Sequence, residues 1–276
     1  MSSSRAEQSA KQNAPDDDGG LPVPETDFVD VLRFPLFMLA FVLTLLFFDP
    51  LQRIALLFGV NAQQRVVIWL NRTLCATLRI VGATVEVVGE AEHLPSGVPY
   101  IIVSNHQSLF DIPILHTIFA RHRPRFIAKQ ELAKWLPSVS FNLRNGGSAV
   151  IDRSNARQAL PAIKDLGERM TAKNFAAVIF PEGTRARRGV LKPFRPAGIS
   201  TLISTADTAR IIPVVLDNSW ILSARKFGPI PRGVVVRVLI LAELDRNGLK
   251  GQELVEKAET VVREGLQRLR DGGPKK

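Results

Sequence analysis

Hydrophobic and polar residues follow three different patterns along the chain. Residues 1–27 are mostly Ser, Ala, Gln, Asp, Gly and Pro, which is too polar to bury a core, and this tail is predicted to be disordered. Residues 28–82 are dominated by long apolar runs, which predict N-terminal helices. Residues 83–276 alternate short β-rich runs with helical patterns. This alternation predicts an α/β domain with a largely parallel sheet.

The elements predicted in the C-terminal part are short apolar runs bounded by turn residues. In sheets of this kind the chemistry lies beyond the carboxyl ends of the strands, so polar residues that follow a predicted strand are the candidates for function. Strands are predicted at Thr84–Val88, Tyr100–Ser104, Arg125–Ala128, Ser148–Ile151, Phe175–Phe180, Ile211–Leu216 and Val234–Leu241. Helices are predicted at Ile112–Arg121, Asn155–Thr171, Ala197–Ser204 and Gln252–Leu269.

The most apolar stretch of the chain is Phe34–Phe48, in which Thr44 is the one polar residue. Asp49-Pro50 is predicted to stop it. At 1.5 Å per residue, a helix of this length reaches about 22 Å, which is shorter than a hydrocarbon core of about 30 Å. A tilted span, a half-span and a membrane-embedded hairpin are all compatible with this length, and so is a helix buried in a globular core.

A second helix is predicted over Val66–Val81. Arg65 directly precedes it, and Arg72 and Arg79 lie within it. The spacing of seven residues places the three arginines on roughly one stripe of the helix, and Trp69 lies elsewhere on its surface. A basic amphipathic helix with a Trp is typical of a membrane interface, although the solvated face of a packed helix gives the same pattern. Beside the apolar run, the membrane interpretation is favoured.

The composition narrows the classes of partner. A net charge of +10 and a pI near 10.2 favour an anionic partner, such as membrane phospholipid, nucleic acid or an acidic carrier protein. No nucleic-acid-binding motif supports the second of these. Cys75 is the only cysteine, which excludes an intramolecular disulfide and a cysteine-rich metal site. The histidines at positions 93, 116 and 122 have no metal-ligand spacing, so no metal site is predicted.

The first stretch with chemical potential follows the strand predicted at residues 100–104. It contains Asn105 and His106, and Asp111 comes five residues after the histidine. An aspartate at this distance can accept a hydrogen bond from one ring nitrogen and hold the imidazole in a single tautomer, which leaves the other nitrogen free as a base. This arrangement suits the removal of a proton from a hydroxyl group.

The second stretch follows the strand predicted at residues 175–180 and has the sequence Pro-Glu-Gly-Thr-Arg, from Pro181 to Arg185. The planar fork of Arg185 can bind a phosphate bidentately, and Gly183 permits a positive φ or a close approach of the backbone. Asn-His-x4-Asp followed about 75 residues later by Phe-Pro-Glu-Gly-Thr-Arg resembles the 1-acyl-glycerol-3-phosphate acyltransferase family. The resemblance covers about residues 85–241.

This resemblance implies a glycerolipid-acyltransferase-like α/β domain over residues 83–276, preceded by membrane-binding helices over residues 28–82. It implies that His106 is the general base and that Asp111 orients it. It also implies that Glu182, Gly183, Thr184 and Arg185 bind the glycerol-phosphate acceptor.

Two further stretches resemble the family more loosely. Lys129 begins a segment similar to the family's second motif, whose closing arginine falls on Arg153 and is expected to contact the acceptor phosphate. The run at residues 138–145 departs from the usual apolar spacer, which affects the alignment of the glycines at 146 and 147. Residues 212–215 resemble the fourth motif, and a basic-aromatic-basic stretch ends near Gly198.

The expected function is O-acyl transfer from a thioester, acyl-CoA or acyl-ACP, to the free hydroxyl of lysophosphatidic acid, giving phosphatidic acid for phospholipid synthesis. Direct transfer is expected because the sequence has no Gly-x-Ser-x-Gly nucleophile. No metal or other cofactor is expected, because the reaction needs a base, orientation and charge stabilisation. The expected location is the cytoplasmic membrane, with the catalytic domain facing the cytoplasm. Another lysolipid acceptor, such as a lyso-ornithine lipid, and a non-catalytic basic membrane-binding protein are the alternatives.

Overall fold

A seven-stranded sheet forms the centre of the chain in a computed structural model, which describes residues 20–272 except Glu90, Phe227, Asn247 and Lys250. Most of the tail predicted to be disordered lies outside the described residues. The strand order is β1-β7-β6-β2-β5-β3-β4, and every neighbouring pair is parallel except β6 and β7. The strands are β1 (Thr84–Val88), β2 (Tyr100–Ser104), β3 (Arg125–Lys129), β4 (Ala149–Ile151), β5 (Ala176–Ile179), β6 (Arg210–Asp217) and β7 (Val235–Ile240).

Helices cover both faces of this sheet, which is why its central strands are continuous apolar runs. Side chains of β2 alternate between the two faces: Ile101 and Val103 belong to one apolar core, and Tyr100 and Ile102 belong to the other. The helices are α1 (Phe28–Leu57), α2 (Val60–Thr77), α3 (Asp111–Ile118), α4 (Val139–Asn145), α5 (Ala156–Lys173), α6 (Pro196–Thr205) and α7 (Gly251–Gly272). The predicted fold class, an α/β domain with a largely parallel sheet, is confirmed.

Helix α1 is longer than the sequence predicts, because it continues through Pro50 to Leu57 instead of ending at Asp49. A proline inside a helix removes one backbone hydrogen bond and normally ends or kinks it. Here the Asp49 carboxylate, directly before the proline, accepts a tertiary hydrogen bond of 2.6 Å from the backbone N–H of Ser138 and an intrahelical one of 2.8 Å from Nε of Arg53. The predicted stop is therefore wrong.

Polar contacts near both ends of α1 fix it to the sheet domain. Near its start, Oδ1 of Asp30 accepts a hydrogen bond of 3.1 Å from the backbone N–H of Arg232. Near its end, Nε2 of Gln52 donates to the carbonyl of Ser138 at 3.2 Å. Between these anchors Phe37 is buried against Phe110, with ring centroids 5.9 Å apart.

The outer side of α1 is apolar and exposed. It is the one helix among the described residues that is long and apolar enough to cross a membrane, and only 17% of its most apolar window is buried. The adjoining α2 exposes Trp69 on the same hairpin, and the three arginines predicted to share a stripe are all exposed. The exposed apolar side chains of α1 include Phe28, Leu32, Leu36, Leu39, Leu43, Leu46, Phe47, Ile54 and Leu57.

Candidate active site

The two stretches singled out in the sequence meet at one edge of the sheet. β2 pairs in parallel with β5 on one side and with β6 on the other, so the residues that follow these three strands converge. Asn105 ties the end of β2 to β6: its Nδ2 donates to the carbonyl of Leu216, and its Oδ1 accepts from the Leu216 N–H, both at 2.7 Å. The loop that carries His106 is therefore held firmly in place.

His106 and Asp111 are in direct contact. Nδ1 of His106 lies 2.8 Å from Oδ2 of Asp111, whose side chain is fully buried. The same oxygen accepts hydrogen bonds from the backbone N–H groups of Gln107, at 2.6 Å, and Ser108, at 2.8 Å. Since these amides stabilise a carboxylate, Asp111 acts as the acceptor and Nδ1 as the donor. In the neutral imidazole the proton-accepting nitrogen is then Nε2.

Ser219 completes the surroundings of Asp111, and sequence reasoning missed it. Its Oγ donates to Oδ1 of Asp111 at 2.6 Å, and the residue is fully buried. It follows β6 closely, so the signal that identified His106, a polar residue after a buried strand, also applies to Ser219. Serine is common in such turns, so the sequence alone gives no reason to assign Ser219 a role. The role follows from its contact with Asp111 in the fold.

The imidazole of His106 is also held from one side by an aromatic ring. Phe180, the residue after β5, stacks on it with centroids 4.2 Å apart and planes inclined by 17°. Only 9% of the His106 side chain is exposed. The phenylalanine that opens the second motif thus fixes the plane of the base, a role that sequence reasoning did not assign to it.

Glu182 is buried beneath the site and links the two motifs through the backbone. Its Oε1 accepts from the N–H of His106 at 2.7 Å, and its Oε2 accepts from the N–H of Lys192 at 2.9 Å. Burial raises the pKa of Glu182 to about 7, and the two backbone hydrogen bonds oppose this rise. The contacts described for its carboxylate are thus to the backbone of the histidine loop and of Lys192, and none of them joins it to Arg185.

Gly183, Thr184 and Arg185 form the exposed turn after Glu182. Gly183 has a φ of +71°, and an added Cβ would lie 3.2 Å from Cδ of Arg195, so this position needs glycine. Nζ of Lys192 donates to Oγ1 of Thr184 at 3.0 Å and to the carbonyl of Arg185 at 2.9 Å. The guanidinium of Arg185 is exposed.

Arg153 reaches this turn from β4. Its Nη1 donates to the carbonyl of Gly183, and its pKa is lowered by burial first and then by the neighbouring charges of Arg195 and Arg185. Three guanidinium groups thus share one region at the carboxyl end of the sheet. Arg195 belongs to the basic-aromatic-basic stretch, and its backbone N–H donates to the carbonyl of Pro181 at 2.9 Å, so this stretch adjoins the acceptor motif.

The structure does not bring Lys129 into contact with these groups. It ends β3, and its Nζ lies 2.9 Å from Oε1 of Glu131, with both side chains about half exposed. The glycines at 146 and 147 precede β4 and therefore lie at the amino end of the sheet, away from His106. The second motif contributes to the site mainly through Arg153, which follows β4.

The arrangement combines a base with an anion-binding region. An imidazole backed by a buried carboxylate can remove a proton from an alcohol, and clustered guanidinium groups can bind a phosphate. Within the described part of the chain, no group of three or more His, Cys, Asp or Glu side chains is arranged to hold a metal ion.

Residues 84–217, which contain both motifs, match the family model described as Acyltransferase. The chain is 31% identical over 196 residues to 1-acyl-sn-glycerol-3-phosphate acyltransferase of Saccharomyces cerevisiae, covering 70% of this chain and 62% of the yeast protein. It is 32% identical over 178 residues to the human enzyme named 1-acyl-sn-glycerol-3-phosphate acyltransferase beta, covering 64% of this chain and 62% of that protein. The chain thus spans about three fifths of the length of these curated relatives.

A solved structure has the same fold. It is the 1-acyl-sn-glycerophosphate acyltransferase of Thermotoga maritima, with a TM-score of 0.72 and 23% sequence identity. The match covers 87% of this chain and 98% of that one.

Proposed function

Residues 84–217 belong to the acyltransferase family, as the two motifs predicted, and from this premise we propose that the protein acylates 1-acyl-glycerol-3-phosphate to give phosphatidic acid. The observation that carries the proposal is the His106–Asp111 pair beside the cluster of Arg153 and Arg185. A base next to a phosphate-binding region suits an acceptor that has both a hydroxyl and a phosphate, and the curated relatives are named for such an acceptor.

His106 takes the proton of the acceptor hydroxyl on Nε2 while the hydroxyl oxygen attacks the thioester carbonyl. The C–S bond then breaks, and the imidazolium returns the proton to the departing thiolate. Asp111 holds the ring through Nδ1 and stabilises the imidazolium that forms. Phe180 fixes the plane of the ring, and Glu182 fixes its backbone, so neither group needs to touch the substrate.

The acceptor phosphate binds to the guanidinium groups at the end of the sheet. Arg185 is exposed and available for a bidentate contact, and Arg153 is already directed towards the Gly183 carbonyl. A bound phosphate would also relieve the mutual repulsion of Arg153, Arg185 and Arg195, which adds to burial in lowering the pKa of Arg153. Gly183 and Thr184 shape the turn against which the glycerol backbone lies, and Lys129 stays on the edge of this region.

The protein lies on a membrane through one face of α1 and α2 and does not cross it. Helix α1 is about 45 Å long at 1.5 Å per residue, which would be enough to span a bilayer. A spanning helix must, however, be surrounded by lipid, whereas α1 is joined to the sheet domain near both ends, at Asp30 and Gln52. An orientation with the outer face of the hairpin in the bilayer surface satisfies both facts. The catalytic domain then faces the cytoplasm, where acyl-CoA and acyl-ACP are available.

Acyl transfer by the purified protein tests this function. The full chain in detergent is given lysophosphatidic acid with labelled acyl-CoA or acyl-ACP, and phosphatidic acid is measured. We expect His106→Ala to lower kcat by about 10²–10⁴-fold, because it removes the base. We expect Arg185→Gln to act mainly by raising KM for the acceptor. Arg268→Gln, on the exposed side of α7, is the matched control and should behave as wild type.

The same assay separates the alternatives. A lyso-ornithine lipid lacks the phosphate, so preference for it, with little effect of Arg185→Gln, would replace the proposed acceptor. If His106→Ala keeps its activity, His106 is not the general base. A wild-type protein that is inactive with every lysolipid and with both donors would favour the non-catalytic membrane-binding alternative. No cofactor is added in any arm, because the proposed chemistry requires only the residues described above.

A further inference from the structure

A cavity of about 530 Å³ lies at the opposite end of the sheet from His106. Arg125 is the first residue of β3, Phe175 directly precedes β5, and Gly147 precedes β4, so the cavity opens at the amino ends of these strands. A five-residue strand extends about 16 Å, so the length of β3 separates the cavity from the catalytic end. It is therefore not part of the site described above.

Four cationic side chains line this cavity, and no Asp or Glu is among the described residues that line it. The four are Arg123, Arg125, Arg169 and Lys173. Arg125 is 8% exposed, and Nη1 of its guanidinium donates to Oε1 of Gln64 at 2.8 Å and to backbone carbonyls, all of which are uncharged. The pKa of Arg125 is lowered to about 10, first by burial and then by the charges of Arg123 and Arg169.

The local negative charge is too small to balance these cations. Asp165 pairs with Nε of Arg169 at 2.8 Å, but it is exposed and lies outside the cavity. Arg123 donates to the backbone carbonyls of Lys173 and Asn174 at the end of α5, where the helix dipole supplies about half a negative charge. Roughly two and a half positive charges are thus left without a counter-charge. A cavity of this kind is suited to an anion.

The other wall of the cavity is the turn of the helical hairpin. Phe58 and Gly59 connect α1 to α2, and they line the cavity together with Val60 and Asn61, the first two residues of α2. Phe58 is 79% exposed and the preceding Leu57 is 84% exposed, so the apolar outer face of the hairpin continues to the mouth of the cavity. An anion bound here would lie where lipid headgroups meet the hairpin, if the hairpin lies in the bilayer surface.

We propose that this cavity binds the phosphate of an anionic membrane phospholipid, with Arg123, Arg125, Arg169 and Lys173 around the headgroup and the acyl chains beside Leu57 and Phe58. This proposal rests on the membrane association proposed above, but it does not depend on catalysis. The bound headgroup fastens the closed end of the hairpin to the membrane, and Asp30 and Arg232 fasten the other end to the domain. The ligand is distinct from the acceptor, which binds at the carboxyl end of the sheet.

Calorimetric titration of the detergent-solubilised full chain with dihexanoyl phosphatidylglycerol tests the proposal. We expect one saturable site per chain in the wild type. Arg169→Gln combined with Lys173→Glu should weaken binding at least tenfold, roughly fivefold for each cation removed and more for the reversed charge. Arg157→Gln combined with Lys164→Glu makes the same changes on exposed positions of α5 and is the matched control, with no change expected.

Two further variants test whether a loss of binding comes from misfolding or from binding at the acceptor site. Lys173→Glu alone should weaken binding severalfold. The Lys173 side chain is exposed and takes no part in the hydrogen bonds and ion pairs of the described residues. This variant should therefore keep the wild-type melting temperature. Arg185→Gln alters the proposed acceptor site and should leave phosphatidylglycerol binding unchanged. Because the readout is binding, an enzyme inactive in acyl transfer still gives a valid result.

Four results would overturn the proposal. Equal losses in the pocket and control variants would indicate diffuse surface charge. Unchanged binding in the pocket variants would place the lipid elsewhere, and loss of binding in Arg185→Gln would place it in the catalytic site. Tighter binding of coenzyme A or inorganic phosphate than of the lipid, lost in Lys173→Glu, would assign the cavity to a soluble anion instead.

Discussion

At the scale of single residues, the site is organised around a carboxylate that is paired, among the described residues, with a histidine and not with a guanidinium. Asp111 is fully buried and receives hydrogen bonds from His106, Gln107, Ser108 and Ser219. Four donors satisfy both oxygens, so the ring of His106 has one orientation in which its Nδ1 proton finds an acceptor. The direction of Nε2, and with it the position at which a hydroxyl is deprotonated, follows from these contacts.

Ser219→Ala tests whether the orientation of Asp111 matters for the reaction. We expect kcat to fall about tenfold with little change in KM, because a hydrogen bond to a charged group contributes about 1.5–3 kcal/mol and none of it is made to substrate. Steady-state acyl transfer by the two proteins measures both constants.

Ser219→Thr keeps the hydroxyl and is the control for this prediction. If Ser219 positions Asp111, the threonine variant should recover most of the lost kcat. Equal losses in the alanine and threonine variants would mean that the site requires a small side chain at position 219 and that the hydroxyl has no role in orienting Asp111.

The raised pKa of Glu182 predicts that the stability of the fold depends on pH. Its pKa is raised to about 7 from an ordinary value of 4.5, so the folded protein keeps a proton that the unfolded chain loses between these values. Wild type should therefore lose stability relative to Glu182→Gln as the pH rises from about 4.5 to above 7, by ~3 kcal/mol at most. Unfolding in urea across this pH range measures the difference.

Glu168→Gln, an exposed carboxylate on α5, is the control and should show no such trend. A difference that stays flat with pH would mean that the backbone amides of His106 and Lys192 keep Glu182 ionised despite its burial. In that case Glu182→Gln should be destabilised at every pH, because the amide group offers only one acceptor oxygen to two N–H donors.

The sequence indicates His106, Asp111 and Arg185 because each lies in a short motif beside a strand end. It does not indicate Ser219, Phe180 or the true contacts of Glu182. These roles depend on which strands become neighbours, and the pairing of β2 with β5 and β6 joins residues separated by about 75 to 110 positions. Local pattern carries no information about such pairings.

At the scale of elements, α1 has to satisfy two different environments along its length. Its inner side packs Phe37 against Phe110 of the sheet domain, and its outer side exposes Leu39 and Leu43 by 55% and 53%. Because apolar residues occupy both sides, the helix has almost no amphipathic pattern, and the sequence alone left its position open between a span, a hairpin and a core helix. The fold resolves which residues face the domain.

Charges on the outer side of α1 should separate membrane binding from folding. Leu39→Glu combined with Leu43→Glu is expected to reduce binding to neutral phosphatidylcholine vesicles by about a hundredfold or more, since each leucine loses about 1.5–3 kcal/mol of burial. Its melting temperature in detergent should stay near that of wild type. Co-sedimentation with vesicles measures the binding.

Phe37→Ala is the counterpart on the inner side of α1. It should destabilise the fold by about 3–5 kcal/mol and leave vesicle binding by the folded protein unchanged. If the double variant at Leu39 and Leu43 is destabilised as much as Phe37→Ala, the outer side of α1 packs against protein and not against lipid.

Most elements lie within a few residues of their predicted bounds, because buried parallel strands and amphipathic helices have clear periodicities. The exceptions have tertiary causes. Helix α4 was not predicted, as it is short and its Ser138 is held by contacts with α1. Helix α1 passes Pro50 for a similar reason. Strand β7 runs antiparallel to β6 and parallel to β1, and no local signal encodes this direction.

At the scale of the whole molecule, positive charge is collected at both ends of the sheet. One end has the arginines beside Glu182, and the other has the cavity around Arg125. With a net charge of +10, the chain is attracted to any anionic surface, and the outer face of α1 adds an uncharged contribution. Membrane binding is thus expected to have two parts with different physical origins.

Salt should separate these two parts. The Debye length falls from about 10 Å at 0.1 M to about 3 Å at 1 M, so attraction between the dispersed charges and an anionic bilayer should be largely lost over this range. Burial of apolar side chains is not screened in this way. Co-sedimentation with phosphatidylglycerol-containing vesicles should therefore decline with salt towards the level measured on phosphatidylcholine alone, which should itself stay nearly constant. If binding to both kinds of vesicle disappears at 1 M, electrostatics alone holds the protein to the bilayer, and the exposed face of α1 requires another partner.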